Sequence, residues 1–425
     1  MKNKETKKHP FRKIWLALLA MVIVVGCIFS HFGGFGTGQC ADTTEFARYA
    51  RGISEISIPA QARVVALGEA THGNAEFQQL KLGVFKVMVE KYGVRAFALE
   101  GDYGCCEAVN RYIHGGEGTV QEAVAAIGFA IYRTEEMEQL VSWMRDYNAT
   151  ASEEDQLCFY GFDMQRYEYN YQYLLEAARD FGLDTKDLEK IWDDEKGGFS
   201  DAYKPEENAR IFEVVKQELM QQNDSLTAKA VHHADVLLQN ISIGTVINDA
   251  AAGNVLRDKL MADNVCWILE QEQARGKDRI FVSAHNGHIQ RRNNYGTTGK
   301  GMGHLLADKF GEGYFVIGTD FHKARVNLPQ GKARKRSIHT FYSHDPLAKA
   351  SKKCGYEMSW LDFSTIPEDS PLKKQISGYT WMGSLGEGYS PFMAVMPMAY
   401  RVWDSPSKLY DGMILVSNAN PIVIR

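Results

Sequence analysis

Six short apolar runs, separated by longer stretches with helical periodicity, restrict this chain more than any other feature of its sequence. They are residues 63–67 (RVVAL), 96–99 (AFAL), 157–160 (LCFY), 280–283 (IFVS), 314–317 (YFVI) and 413–416 (MILV). Each has strand length and no apolar/polar alternation, the pattern of a strand covered on both faces. Between the first two, Phe77, Leu80, Val84 and Val87 recur at three- and four-residue steps, and Gly93 supplies a stop, so a helix is expected over 76–92. The alternation predicts an α/β fold: a mostly parallel central sheet flanked by helices. From 167 to 275 strand signals disappear, and amphipathic stretches at 205–221, 228–240 and 254–273 replace them. An inserted helical subdomain at about 165–275 is expected there, within one domain covering 42–425.

The 425 residues are 45% hydrophobic, enough for a large core, and 48 Lys and Arg stand against 53 Asp and Glu. A net charge of -5 argues against a nucleic-acid partner, whose binding surface is strongly basic. Lys2, Lys4, Lys7, Lys8, Arg12 and Lys13 precede an uncharged run from Ile14 to Phe29. That pattern predicts an export signal or membrane anchor in residues 1–41. Counting on to Phe35 gives about the 20 residues needed to span a bilayer. An uncleaved anchor with the remaining chain outside the cell is favoured; secretion or a lipoprotein cut before Cys27 is the alternative, disfavoured because Ile28 and Phe29 prolong the apolar run. The seven cysteines form no CxxC pair and no zinc spacing, and no disulfide is assignable from them. The basic run 331–336 reads as a solvated loop, with contact to an anionic surface as the second reading.

Strand ends carry the chemistry. RVVAL is followed by Gly68-Glu69-Ala70-Thr71-His72-Gly73, AFAL by Glu100-Gly101-Asp102, LCFY by Gly161-Phe162-Asp163, and IFVS by Ala284-His285-Asn286-Gly287-His288. In an open parallel sheet the carboxyl ends of the strands share one edge, where ligands bind. Glu69, His72, Glu100, Asp163, His285 and His288 are therefore expected to converge. A carboxylate such as Glu69 beside His72 orients the ring and raises its basicity, which suits a general base. Lys81, one turn beyond Phe77, is placed to reach back toward the cleft, though an exposed lysine reads equally well. Arg257, Met261 and Asn264 share a helix face at i, i+4 and i+7. On that face Arg257 is expected either to pair with a carboxylate or to stabilise an oxyanion, with a surface pairing to Asp258 or Asp263 as the plainer reading. The tyrosines at 167, 169, 171 and 173 alternate, which favours ordinary packing over an aromatic cleft. No G-x-S-x-G elbow, H-E-x-x-H, P-loop or G-x-G-x-x-G occurs. The pair His285 and His288 lacks the adjacent Glu of a zinc motif, so no metal or other cofactor is expected.

The set Gly68–Gly73 with Glu76-Phe77, Phe97-Ala98-Leu99-Glu100, Tyr160-Gly161-Phe162-Asp163, Arg257-Asp258 with Met261-Ala262 and Asn264, and Ala284–His288 resembles the erythromycin esterase family. The likeness extends from about Arg63 to Tyr410-Asp411-Gly412. It implies hydrolysis of a macrolide lactone by activated water, without covalent nucleophile or metal. By motif, His72 is then the general base, Glu69 and Glu100 its carboxylate partners, and His285 with Arg257 position substrate or stabilise the oxyanion. His288, Lys81, Asn264 and Asp163 are expected to contact substrate. Two features depart from the family: macrolide-hydrolysing members tend to carry Arg where Lys81 stands, and they are typically cytoplasmic.

The expectation is thus a membrane-anchored hydrolase of a bulky carboxylic ester, a small-molecule substrate being its partner. A metal-dependent hydrolase of a phosphoester, or a non-enzymatic surface protein binding a ligand in the same cleft, are the alternatives.

Overall fold

The structure is a computed structural model that describes residues 10–31, 40–222, 227–246, 248–292, 299–331, 333–394 and 396–425. The lysines at 2–8, the glycine-rich stretch to Phe35 and Lys332 of the basic run lie outside the described residues. Twelve strands are present among the described residues: β1 Val64–Glu69, β2 Ala96–Asp102, β3 Cys158–Asp163, β4 Trp192–Asp193, β5 Gly198–Phe199, β6 Ile280–His285, β7 Tyr314–Gln330, β8 Lys335–Tyr342, β9 Met358–Asp362, β10 Thr380–Gly383, β11 Arg401–Asp404 and β12 Gly412–Ala419. The main sheet has the order β3-β2-β6-β1-β7-β12-β9, with β8 paired to β7. All pairings from β3 to β12 are parallel; β9 and β8 join antiparallel. This is the α/β architecture expected, and its six parallel strands begin within a residue of the six apolar runs. β1, β2, β3 and β6 are buried along their whole length, as covered strands must be.

Three features differ from the sequence reading. β7 runs 17 residues, and its distal half pairs with β8 in a long hairpin. Ala324, Val326 and Leu328 turn inward there while Lys323 and Arg325 turn out, an alternation that marks a half-covered strand. Lys335 and Arg336 consequently belong to β8, and the basic run is a hairpin turn entering a strand rather than a loop. A small hairpin, β4 with β5, interrupts the helices between β3 and β6. Around it, Tyr171 stacks on Trp192 at 4.3 Å and Tyr167 on Phe199 at 4.7 Å, so those tyrosines pack rather than line a cleft. All seven cysteines are free thiols.

One irregularity positions chemistry. Leu99 pairs with Gly161 and Asp102 with Asp163, so Glu100 and Gly101 of β2 together oppose Phe162 of β3. Such a bulge leaves one residue unpaired and re-aims its neighbours. The bulge crowds β3: a Cβ on Gly161 would lie 2.4 Å from the Asp102 carbonyl oxygen. Gly68 is similarly enclosed, since a Cβ there would meet Asn286 Oδ1 at 1.9 Å. Asn286 itself clips β6 to β7, donating to the Thr319 carbonyl at 2.7 Å and accepting from its N–H at 3.2 Å. Because backbone carbonyls cannot move aside, Gly161→Ala should lower unfolding stability by about 1–3 kcal/mol, read from the urea midpoint; an unchanged midpoint would contradict the bulge geometry.

Candidate functional site

Parallel pairing places Glu69 and His285 side by side at the ends of β1 and β6. Beyond Glu69 the chain turns tightly. The Thr71 hydroxyl accepts from Gly73 N–H and donates to Asn74 Oδ1 at 2.9 Å, while Asn74 Nδ2 reaches the Arg325 and Asn420 carbonyls. This fixes the turn that carries His72. His72 Nδ1 lies 3.5 Å from Glu69 Oε2, and Lys81 Nζ lies 2.6 Å from Glu69 Oε1. Burial pushes the Glu69 carboxyl up, but Lys81 and His72 outweigh it and hold the group below its ordinary value. Burial also pushes His72 down, but the Glu69 carboxylate 3.5 Å away and the charge of Glu100 raise it above an ordinary imidazole.

Arg257, on the helix Ala250–Ala274, enters from the far side. It forks onto Asp163, Nε to Oδ1 at 3.1 Å and Nη2 to Oδ2 at 2.6 Å, and Nη2 also donates to Glu100 Oε1 at 2.9 Å. Glu100 Oε2 accepts the His285 backbone N–H at 2.8 Å. Burial raises Glu100, yet His288, Arg257 and His72 override it and keep the group ionised. His288 hydrogen-bonds Asp258 through Nδ1, and its Nε2 lies 3.4 Å from Glu100 Oε1. Burial opposes charge on His288, but the two carboxylates prevail and raise its pKa.

His285 behaves differently. Its Nδ1 accepts from Gly287 N–H at 3.2 Å and its Nε2 donates to the Leu385 carbonyl at 3.2 Å. Burial, with His72 adding to it, lowers its pKa to about 3, so the ring is neutral. Both nitrogens are committed to backbone. His285, expected to position substrate or stabilise the oxyanion, lines the cavity but spends both ring nitrogens on tying β6 to the segment Ser384–Glu387.

These groups surround a cavity of about 460 Å³, lined by His72, Glu100, Asp163, Arg257, His285 and His288 among others. Two expected substrate contacts lie outside it. Lys81 is wholly buried on the sheet-facing side of the helix Ala75–Tyr92, held by Glu69 and by Gln78 Oε1 at 2.9 Å. It backs Glu69 rather than facing the cleft. Asn264 is two helical turns, about 10 Å, beyond Arg257; it donates to the Phe162 carbonyl at 3.1 Å and pairs with Gln239. It fastens the helix to β3. Arg257 makes the carboxylate pairing that its helix position led us to expect.

Sequence reasoning missed Asp258, Tyr132 and the segment Ser384–Glu387. Asp258 directly follows Arg257, and Tyr132, a lining residue, donates to the Glu100 carbonyl at 2.9 Å. The segment is joined to the first turn by a bridge between Thr71 and Leu385, over three hundred positions apart. Among the described residues no group of three or more His, Cys, Asp or Glu is arranged to hold a metal ion.

The erythromycin esterase family model matches residues 89–419, most of the chain. This chain belongs to the erythromycin esterase family. At family level it is a hydrolase. The chain is 28% identical over 354 residues to erythromycin esterase type II of Escherichia coli, covering 72% of this chain and 82% of that protein. A Bacillus cereus protein of known crystal structure shares the fold with a TM-score of 0.74 at 20% identity, covering 90% of this chain and 99% of its own. A mutant of erythromycin esterase EreC in its open conformation shares it with a TM-score of 0.58 at 18% identity, covering 86% and 93%.

Removing Arg257 from this family member leaves two buried carboxylates facing each other without a cation. Arg257→Met should therefore lower unfolding stability by about 3–5 kcal/mol, measured by thermal or denaturant unfolding. A loss below about 0.5 kcal/mol, the range of an ordinary surface change, would mean the fork is not formed.

Proposed function

We propose that this chain hydrolyses a carboxylic ester of the size of a macrolide lactone, using water activated by His72 and no covalent nucleophile. The observation that carries this reading is the difference among three imidazoles. His285 has both nitrogens tied to backbone, and His288 lies between Asp258 and Glu100. His72 has Nδ1 turned to Glu69, and its Nε2 has no hydrogen-bond partner among the described residues on the cavity it lines. Nδ1–H directed at Glu69 leaves the Nε2 lone pair as the base.

In this mechanism Nε2 takes a proton from water as the oxygen adds to the ester carbonyl carbon. The tetrahedral intermediate collapses with cleavage of the carbon–alkoxy bond. The imidazolium returns its proton to the leaving oxygen, giving acid and alcohol. Arg257, whose Nη1 lies 3.2 Å from His288 Nε2, supplies the positive charge at the cavity wall for the developing oxyanion, with His288 beside it. Ser384 is the serine among the lining residues and is assigned no covalent role.

His72→Ala should reduce kcat/KM by about 10²–10⁴-fold with the fold intact, while Ser384→Ala keeps most activity. Full activity in the first, or inactivity with an intact fold in the second, would refute the assignment. The base works unprotonated, so kcat/KM should rise with pH through the raised ionisation of His72. In Glu69→Gln/Lys81→Met, which removes the buried pair together, burial acts on His72 without the neighbouring charge and the limb should move to lower pH; a limb that stays in place would separate His72 from the titration.

A further inference from the structure

The segment between β10 and β11 supplies Ser384, Gly386, Glu387 and Ala399 to the cavity wall, yet its outer side is apolar. Phe392 is 56% exposed, Met398 61% and Trp403 53%, with Tyr379 and Met396 exposed as well. Apart from the N-terminal helix, the other exposed large apolar side chains among the described residues are scattered, whereas these fall within one 25-residue stretch, 379–403. Trp381 and Trp403 face each other across β10 and β11 with ring centroids 5.1 Å apart. A grouped patch of this kind marks a docking surface, and exposed Trp, Tyr and Phe suit the interfacial region of a bilayer.

Three observations say what covers it. The helix Pro10–His31, whose residues 12–29 have a mean hydropathy of 2.1 and no burial in the protein, runs beside the turns Pro391–Ala394 and Pro397–Tyr400. Only eleven residues separate this helix from the next one, which begins at Thr43, a span of at most about 40 Å. A domain on so short a tether stays near any membrane that holds the helix. The patch is also flanked by cations. The β7–β8 turn, tied to the segment by the Tyr389 N–H donating to the Pro329 carbonyl at 2.9 Å, presents Arg334 and Lys335, and Lys408 lies 5.2 Å from the Tyr379 ring. The acidic side chain facing this turn, Glu387, is occupied by Arg336 at 2.7 Å and Arg334 at 3.4 Å.

We propose that the surface formed by Tyr379, Trp381, Phe392, Met396, Met398 and Trp403 rests on an anionic lipid bilayer, so that the cavity receives an amphiphilic ester dissolved in that bilayer. The substrate half of this statement rests on the hydrolytic reading above; the docking half does not. Basic residues at the membrane surface add attraction to anionic lipid, and the apolar side chains insert beside them.

The test uses the full chain reconstituted into vesicles of phosphatidylcholine and phosphatidylglycerol brominated high in the acyl chains. Bromine quenches tryptophan on contact. In Trp381→Phe/Trp403→Phe, Trp15 of the N-terminal helix still reports membrane insertion, and the emission lost per molecule to bromine should fall relative to the parent chain. An identical loss in both proteins would overturn docking through this surface. Phe392→Ser/Met398→Ser should slow hydrolysis of a long-chain ester dissolved in the vesicles about tenfold, a modest part of the transfer energy of two large side chains, and leave a short water-soluble ester unchanged. Equal rates on the long-chain ester would overturn membrane access. Absence of turnover on any ester would overturn the hydrolytic reading and leave the quenching result to decide docking.

Discussion

Arg257 is the cation on which the carboxyl rim of the sheet depends. Two carboxylates on neighbouring strands, Glu100 and Asp163, are carried out of water at the bulge between β2 and β3, and each buried ion costs several kcal/mol unless it is paired. The guanidinium fork meets both at once, which an ammonium group could not do with the same geometry. Around it the charges come in compensated sets: Lys81 backs Glu69, and His288 joins Asp258 to Glu100. Asp102, next along β2, shows what happens without a cation. Burial, with Asp163 adding to it, raises its pKa to about 7, and its oxygens are satisfied by N–H groups and Asn170 instead.

That arrangement also separates three chemically identical imidazoles. His285 is neutral because burial and the neighbouring His72 oppose its charge, and backbone groups hold both its nitrogens. His288 is drawn toward its charged form by two carboxylates. His72, with one nitrogen directed at Glu69, is the ring suited to exchange a proton with a molecule in the cavity. The wall facing it comes from the end of the chain, where the Gly383 N–H donates to Asp320 Oδ2 at 3.0 Å and Leu385 accepts from His285. The site is thus closed by segments from opposite ends of the sequence.

The strands and most of the acidic and imidazole groups were legible because they obey local rules. Uninterrupted apolar runs announce covered strands, and polar residues following them fall at one edge by topology. Arg257 was legible from helix spacing. The rest depended on contacts that no local pattern encodes. Lys81 reads as surface or cleft until β1 is placed against its helix and Glu69 is seen above it. Asn264 shares a helix face with Arg257, but two turns carry it past the cavity. The distal half of β7 carried a period-two signal at Ala324, Val326 and Leu328, which the basic run that follows obscured. The segment Ser384–Glu387 has no distinguishing composition; only its pairing with Thr71 brings it to the site.

The central claim is that His72, and not His285, gains and loses the proton that activity depends on. Nitrogen-15 NMR of histidine-labelled full chain, with the three rings assigned by single-residue variants, observes this directly. The account predicts that His72 titrates in step with kcat/KM while His285 remains in the neutral Nε2–H tautomer throughout. A His72 ring fixed in one protonation state, with His285 titrating alongside activity instead, would contradict it.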